Sequence, residues 1–225
     1  YKEYKANRKG MPPELAVQFP VLKELLADMG YKLVEKEGYE ADDILGTLAY
    51  ACEKAGQECV IATGDRDSLQ LVGPHVTVRI AATKFGRPEV TLYDEPKIKE
   101  VYGVSPAQLI DIKAIQGDAS DNIPGVLGIG EKGAGELVRK FGSLENLYAN
   151  IDSSEIKEST RKKLIESKES AFLSKFLGTI VKDVPIDLAL ESYVPQEMDK
   201  PKVAKTLTDL EMFSLIKKMG LEVAV

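Results

Sequence analysis

Apolar positions in the first 93 residues predict several strands. Residues 58–63 form a continuous run rich in β-branched side chains, which predicts a buried strand. Residues 75–82 and 89–93 predict two more strands, joined by a hairpin with Gly86 in its turn, and residues 31–36 predict a short additional one. These segments favour an α/β fold with a central, mostly parallel sheet flanked by helices.

Apolar residues at helical spacing predict the remaining elements. Residues 13–29 predict a helix with a kink or restart at Pro20, and residues 40–55 predict a helix that Gly56 ends. After residue 94 strand signals stop, and helices are predicted over 94–102, 105–115, 131–140, 143–149, 153–168, 169–178 and 201–219. We therefore predict an α/β part over 1–93, an all-α part over 94–190, and a linker with a final helix over 191–225.

The composition is that of a globular protein, with 44% hydrophobic and 29% charged residues. No apolar run approaches the ~18 residues of a membrane-spanning helix, and no secretory signal opens the chain. The two cysteines, Cys52 and Cys59, lack the spacing of a metal site and fit a reducing compartment. We expect a cytoplasmic protein with no membrane partner.

Charge is segregated along the chain in a way that the net charge of −6 conceals. Residues 1–10 and 157–168 are net basic, whereas residues 40–67 are net acidic. Basic flanks around an acidic centre suit a protein that binds phosphates and presents one of them to metal ions.

Seven acidic residues come in three short groups, each where a turn meets a predicted helix or strand. Like charges at close range raise one another's pKa, so a convergent cluster of carboxylates needs compensation. Hard divalent cations such as Mg²⁺ and Mn²⁺ provide it and prefer oxygen ligands. The pattern predicts a metal site that acts on phosphate, with helix capping and turn formation as the alternative for each acid taken singly. The residues are Glu40, Asp42, Asp43, Asp65, Asp67, Asp118 and Asp121.

A glycine-rich turn leads into the helix predicted over 131–140. Such a turn directs backbone N–H groups outward and forms a seat for an anion, here a phosphate of a DNA backbone. Basic side chains in the following helix add positive charge. The alternative is a helical hairpin in which the glycines serve only close packing. The candidate DNA-binding residues are Gly125, Gly128, Gly130, Lys132, Arg139 and Lys140.

Four blocks in a fixed order carry a resemblance to a known family. They are the Tyr4-Lys5-Ala6-Asn7-Arg8 stretch and the segments 40–43, 63–67 and 117–137. Together they resemble the 5′-nuclease superfamily, and in particular the 5′→3′ exonuclease domain of bacterial DNA polymerase I. The resemblance extends over nearly the whole chain. It implies a PIN-like 5′-nuclease core with part of a helical arch in residues 1–93, followed by a helix–three-turn–helix region.

The resemblance also implies roles for individual residues. The seven acids would ligate two Mg²⁺ or Mn²⁺ ions, which would activate a water and neutralise the leaving oxygen. Lys5 and Arg8 would be catalytic and stabilise charge on the scissile phosphate, with a solvated basic terminus as the alternative. Apart from the resemblance, the aromatic ring of Tyr4 would bind DNA by stacking on a base, with an ordinary exposed tyrosine near a terminus as the alternative. A potassium ion would be held in the helix–three-turn–helix near Ser120, Asn122, Ile123, Val126 and Ile129.

The implied function is a structure-specific 5′→3′ exonuclease or flap endonuclease of DNA replication and repair. Its substrate would be DNA with a 5′ flap, a nick or a junction between duplex and single strand, or an RNA primer. We expect a monomer associated with the bacterial nucleoid, with a polymerase domain in the same polypeptide.

One departure from the family pattern affects this expectation. Family members carry a first sheet strand and two further metal-binding aspartates before the block that opens this sequence, so the fold is expected to be truncated at that strand. Metal binding and cleavage by such a piece would be weak, which leaves a non-catalytic duplex-binding module as one alternative. A phosphohydrolase of the haloacid-dehalogenase type, suggested by residues 63–67, is the other.

Overall fold

The computed structural model describes residues 1–84 and 86–221. The chain divides into two compact units. The large unit contains residues 1–8 and 38–184, and the small unit contains residues 9–37 and 185–225. The boundary predicted near residue 93 lies inside the large unit, so the division into an α/β part and an all-α part stays a proposal about the organisation of that unit.

A mixed sheet of three strands lies in the large unit. Strand β1 pairs in parallel with β2, and β2 pairs antiparallel with β3 across the turn at Gly86, where φ is +75°. The α/β class and the three strands are confirmed. The sheet is mixed and not mostly parallel, because the hairpin supplies one of its two pairings. The strands are β1 (Cys59–Thr63), β2 (Val76–Lys84) and β3 (Arg87–Tyr93).

Strand β1 buries only one of its faces. Ile61 packs into the core with Val78 and Ile80 of β2, whereas the neighbouring Val60 is 61% exposed. Successive side chains of a strand point to opposite faces, so this alternation shows a half-buried strand. The strand predicted over 58–63 is present, but it is half-buried and not a fully buried strand.

Each helix predicted between residues 40 and 178 is present in the large unit, although those predicted to begin at 105 and 153 begin at Gln108 and Glu158. Helix α3 has Glu40 as its N-cap and ends at Gly56, where φ is +65°. The helices are α1 (Pro13–Ala16), α2 (Gln18–Asp28), α3 (Ala41–Ala55), α4 (Glu95–Tyr102), α5 (Gln108–Gln116), α6 (Glu131–Phe141), α7 (Leu144–Ala149), α8 (Glu158–Glu166), α9 (Lys168–Gly178), α10 (Lys200–Asp209) and α11 (Phe213–Lys218).

The turn between α5 and α6 depends on a close approach of two glycines. Gly117 and Gly125 have φ values of +74° and +63°, and a Cβ on Gly125 would lie 2.4 Å from the backbone nitrogen of Gly117. The Val126 N–H then donates to the carbonyl of Ile115 at 2.7 Å, which returns the chain to α5. Helices α5, α6, α7, α8 and α9 share one apolar core.

The small unit packs α2, α10 and α11 around Val203, Leu207 and Leu221. Two predictions fail here. Residues 31–36 are not a strand, and no described residue of the small unit offers a strand to pair with them. The helix predicted over 201–219 is interrupted between α10 and α11, where Glu211 has a φ of +56°.

The segment predicted as one helix over 13–29 is also divided, into α1 and α2. The break falls at Val17, three residues before Pro20. Pro20 therefore lies in the first turn of α2, where its missing N–H costs little. Among the described residues, no helix combines the length and the apolar character that crossing a membrane requires.

Candidate metal centre and phosphate cleft

Three aspartates from two separate turns converge in the large unit. One carboxylate oxygen each from Asp67, Asp118 and Asp121 lies within 4.8 Å of the other two. Asp67 follows β1 in a short 3₁₀ helix over Arg66–Leu71, called the 3₁₀ turn below, and the other two lie in the turn that leaves α5. Three carboxylate oxygens at this spacing could coordinate a hard divalent cation.

A lysine that the sequence analysis missed contacts this cluster. The Nζ of Lys113, in α5, forms ion pairs with Asp67 and, at 2.9 Å, with Asp118, and the Lys113 side chain is only 10% exposed. Burial works to lower the pKa of Lys113, but hydrogen bonds to these two aspartates raise it above its ordinary value, so the ammonium stays charged. The other charged residue of α5 is Asp111, and neither residue lies in one of the acidic or basic groups noted in the sequence.

The first eight residues bring two more cations to the same carboxylates. Lys5 pairs with Glu40 and lies 4.0 Å from Asp121, and Arg8 pairs with Asp121. The Lys5 N–H donates to the Asp121 carbonyl at 2.9 Å, and the Asn122 side chain donates to the carbonyl of Glu3 at 2.7 Å. The structure therefore brings both predicted basic residues to the carboxylate cluster.

The predicted acids do not all have equivalent surroundings. Glu40, Asp42, Asp65, Asp67 and Asp121 line one cleft of about 370 Å³, together with Tyr4 and Lys5. Asp65 also accepts the Asp67 N–H at 2.9 Å and so caps the 3₁₀ turn.

Asp43 lines the same cleft, but both of its carboxylate oxygens are engaged by backbone groups. One accepts the N–H of Glu40 at 3.1 Å and completes a capping box at the start of α3, and the other accepts the N–H of Val181 at 2.9 Å. These contacts fix local structure and leave Asp43 less available to a metal than its neighbours.

The pKa values of the cluster diverge according to local contacts. Burial raises the pKa of Asp67 despite the hydrogen bond from Lys113. Burial also raises the pKa of Asp42, and the charges of Asp65 and Asp67 add to the effect. For Asp118, burial acts in the same direction, but hydrogen bonds from Ser120 and Lys113 outweigh it and lower the pKa to about 2.

The predicted phosphate seat is only partly accessible. Gly125 is buried, and its N–H donates to the Ser174 hydroxyl at 2.8 Å, so it packs the turn and offers nothing to a ligand. Gly128 and Gly130 are exposed, and Gly130 is the N-cap of α6 without a side-chain hydrogen bond. Lys132 is exposed in the first turn of that helix.

Two of the predicted cationic residues of α6 have protein partners. Arg139 donates to the Tyr102 carbonyl at 3.1 Å, and Lys140 pairs with Glu155 at 3.1 Å. Both side chains are nevertheless exposed at the surface of the helix.

The residues predicted to hold a monovalent cation lie in the turn that follows α5. Ser120 donates its hydroxyl to Asp118 at 2.6 Å. The carbonyls of Ile123 and Val126 accept the N–H groups of Asp118 and Ile129 at 2.9 and 3.1 Å. Each carbonyl has a second lone pair, so these bonds are compatible with cation binding.

A basic cleft of about 500 Å³ adjoins the carboxylates and was not predicted. Arg66 donates to the Tyr93 and Tyr102 hydroxyls at 3.2 and 3.0 Å, which holds its guanidinium at the cleft wall. Asp67 and Lys113 from the cluster and Lys132 and Arg139 from α6 also line this cleft. The cleft therefore joins the carboxylate cluster to the predicted phosphate seat.

Comparisons with known proteins agree with this arrangement. A family model described as 5′-3′ exonuclease, N-terminal resolvase-like domain, matches residues 1–103, and one described as 5′-3′ exonuclease, C-terminal SAM fold, matches residues 104–201. DNA polymerase I of Caldicellulosiruptor bescii is 48% identical over 100% of this chain and 26% of its own length. The chain thus spans about a quarter of the length of the curated relatives it matches.

Solved structures show a similar fold. Phage T5 5′-exonuclease with bound zinc ions matches with a TM-score of 0.62 and 25% identity, over 92% of this chain and 77% of that one. A complex of the T5 D15 flap endonuclease with DNA and metal ions matches with a TM-score of 0.61 and 24% identity, over 92% of this chain and 76% of that one.

Proposed function

We propose that this chain, which belongs to the 5′-3′ exonuclease family, is the nuclease part of a metal-dependent 5′→3′ exonuclease or flap endonuclease acting on DNA or on RNA primers. The observation that carries the proposal is the convergence of acids from three separate segments on one cleft, with Lys5, Arg8 and Lys113 each paired with one of these acids. Helix capping and turn formation account for Asp43 and Asp65 taken singly, and they do not account for the convergence of all three segments on one cleft.

The donor set fits divalent metal ions. Oxygen ligands within 4.8 Å of one another suit Mg²⁺ or Mn²⁺, and we propose two such ions, held by the acids at Glu40, Asp42, Asp43, Asp65, Asp67, Asp118 and Asp121 directly or through water. Asp43 is the weakest candidate because backbone groups engage its oxygens. When bound, the metals supply an activated water and stabilisation of the leaving oxygen.

Lys5 and Arg8 act on the substrate phosphate in this proposal. Both already bind carboxylates at the cleft, so an entering phosphate replaces one anionic partner with another. Hydrogen bonds raise the pKa of Lys5, although burial works against them, and Lys5 stays cationic. A fixed positive charge is what a phosphate that gains charge in the transition state requires.

Duplex DNA binds through its backbone in this proposal. The exposed start of α6 at Gly130, with Lys132, offers N–H groups and positive charge, and the basic cleft with Arg66 continues this surface to the carboxylates. We further propose potassium at the turn over residues 120–129, and Tyr4 as a stacking contact beside Lys5.

The biological setting follows from the relatives. DNA with a 5′ flap, a nick or a duplex/single-strand junction is the proposed substrate, and a polymerase domain in the same polypeptide is the proposed partner, since the relatives are DNA polymerases I. We propose a monomer that acts at the nucleoid in the bacterial cytoplasm. The haloacid-dehalogenase alternative loses its basis, because residues 63–67 fall within the match to the 5′-3′ exonuclease model.

Metal binding by the chain itself gives the first test. Mn²⁺ binding, followed by electron paramagnetic resonance of the free ion, is expected for the unchanged chain and weakened about tenfold or more in Asp118→Asn. Asp209→Asn removes a carboxylate from an exposed helical pair in the small unit and serves as the control. Equal Mn²⁺ affinity in all three proteins would remove the metal centre from the proposal.

Cleavage is tested in the complete polypeptide. Asp65→Asn or Asp118→Asn is expected to abolish cleavage of a 5′-flap duplex and to leave its binding intact. The competing reading is a duplex-binding module without catalysis. It would be supported by a complete polypeptide that binds the flap duplex and leaves it uncut in Mg²⁺.

A further inference from the structure

An exposed aromatic side chain stands at the rim of the carboxylate cleft. Phe176, in the last turn of α9, is 77% exposed, and it lines the same cleft as Asp67 and Asp121. A phenylalanine side chain has no polar atom with which to hold water, so its exposure at a polar cleft leaves a large apolar ring available to a partner.

The backbone that carries Phe176 is fixed to the elements that carry the acids. The buried amide side chain of Gln70 donates to the Gly178 carbonyl at 3.0 Å and accepts the Ile180 N–H at 3.0 Å. Gln70 belongs to the same 3₁₀ turn as Asp67. The position of Phe176 is therefore coupled to the position of the cluster through one short turn.

A further hydrogen bond fastens the segment after α9, because Asp43 accepts the N–H of Val181 at 2.9 Å. Gly178 lies close to the lysine of the cluster, since a Cβ added to this glycine would come within 3.3 Å of the Lys113 side chain. The backbone next to Phe176 is thus fixed beside residues of the carboxylate cleft. An aromatic ring on so constrained a segment is a preorganised surface, and preorganisation lowers the entropy cost of binding.

We propose that Phe176 is a stacking platform for a nucleobase of the strand that is cut, next to the phosphate held at the carboxylates. This inference rests on the proposed function. Every nucleobase has a π-face, so stacking on phenylalanine positions a nucleotide without reading its sequence. Tyr4 lines the same cleft, so nucleotides that enter it meet one aromatic ring from the first eight residues and one from α9.

Abasic substitution in the DNA isolates the contact. The 225-residue chain is titrated, in Ca²⁺ in place of Mg²⁺, with a fluorescent 5′-flap duplex in which single abasic residues replace successive nucleotides on either side of the flap junction. At one position the unchanged chain is expected to lose affinity by about five- to a hundredfold, the range for one stacked base. Phe176→Ala is expected to bind the intact duplex as weakly as the unchanged chain binds the duplex with that abasic site. Its affinity is expected not to fall further when the same abasic site is present.

Matched variants separate stacking from structure. Phe176→Trp is expected to keep the abasic sensitivity. Phe213→Ala removes a phenylalanine that is 61% exposed in the small unit and is expected to retain the profile of the unchanged chain. Thermal denaturation checks that Phe176→Ala folds.

The outcomes separate this inference from the function on which it rests. An abasic profile for Phe176→Ala equal to that of the unchanged chain overturns the stacking role alone. Failure of the unchanged chain to bind the flap duplex overturns the proposed function together with the stacking role.

Discussion

Lys113 is predicted to substitute for a metal ion in the metal-free protein, and Lys113→Met tests this. Lys113 pairs with Asp67 and Asp118, and one carboxylate oxygen of each lies within 4.8 Å of the other. At that distance two unit charges repel by about 3.5 kcal/mol at an effective dielectric constant of 20 and by about 0.9 kcal/mol in water. Asp67 and Asp118 are partly exposed, so we expect Lys113→Met to lower the free energy of unfolding by about 1–3 kcal/mol.

The assay is thermal unfolding with and without Mg²⁺. For a chain of this length the expected loss corresponds to a Tm lowered by roughly 2–10 °C in EDTA. The difference is expected to shrink in saturating Mg²⁺, because a bound cation then compensates the carboxylates that lost their lysine. The mutant is also expected to bind Mg²⁺ more tightly than the unchanged chain, since the competing ammonium is gone.

Lys97→Met is the matched control. Within the described part of the chain, Lys97 pairs only with Glu100 on the surface of α4. Such an i,i+3 pair contributes little to stability, so its loss should leave both Tm values nearly unchanged. The reasoning is refuted if Lys113→Met unfolds at the temperature of the control in EDTA, or if Mg²⁺ leaves the difference between the two mutants intact.

Three further predictions concern other parts of the large unit. Lys132→Glu is expected to weaken duplex binding for all sequences alike and to flatten its salt dependence, so an unchanged slope in a salt titration would contradict a phosphate contact. Gly125→Ala is expected to cost about 2 kcal/mol or more in urea unfolding, because its Cβ would meet the backbone of Gly117, whereas Gly130→Ala, with open space around it, should cost far less. The folded-state pKa of Asp118, about 2, lies below its ordinary value, so its contribution to stability is complete above pH ~4 and is lost as pH falls towards 2. Asp118→Asn should therefore flatten the dependence of stability on pH in that window. If the free energy of unfolding falls with pH equally steeply in Asp118→Asn and in the unchanged chain, the result counts against the effect.

The sequence predicted the fold best where local signals and packing agree. The helix after Glu40 has a capping box and an αL glycine at its end, and the structure has the helix within one residue of the prediction. Residues 31–36 have strand-like composition, but a strand also needs a partner, and hydrophobic pattern alone cannot supply one. The break at Glu211 likewise has no glycine or proline to announce it.

Most of the acidic residues of the candidate site could be predicted, because acids at turns have few reasons to cluster along a sequence. Two of the basic residues near these acids, Lys113 and Arg66, were not predicted as part of the site. Lys113 lies near the acids only after α5 and the 3₁₀ turn have packed. Arg66 stands between Asp65 and Asp67 in the sequence, but only the fold brings it to the hydroxyls of Tyr93 and Tyr102. Asp43 shows the converse: it shares its segment with Asp42, yet the helix geometry turns its oxygens towards backbone N–H groups.

Three of the acids proposed to bind metal are each paired with a basic side chain in the metal-free protein: Glu40 with Lys5, Asp121 with Arg8 and Asp67 with Lys113. A divalent cation and these side chains therefore compete, and a bound cation weakens the hold of the carboxylates on each basic group. Basic groups released in this way carry positive charge into the cleft, where a substrate phosphate can take the place of the lost carboxylate. Binding of metal and binding of DNA should consequently reinforce one another, since each removes a competitor of the other, and this coupling requires no change in the fold.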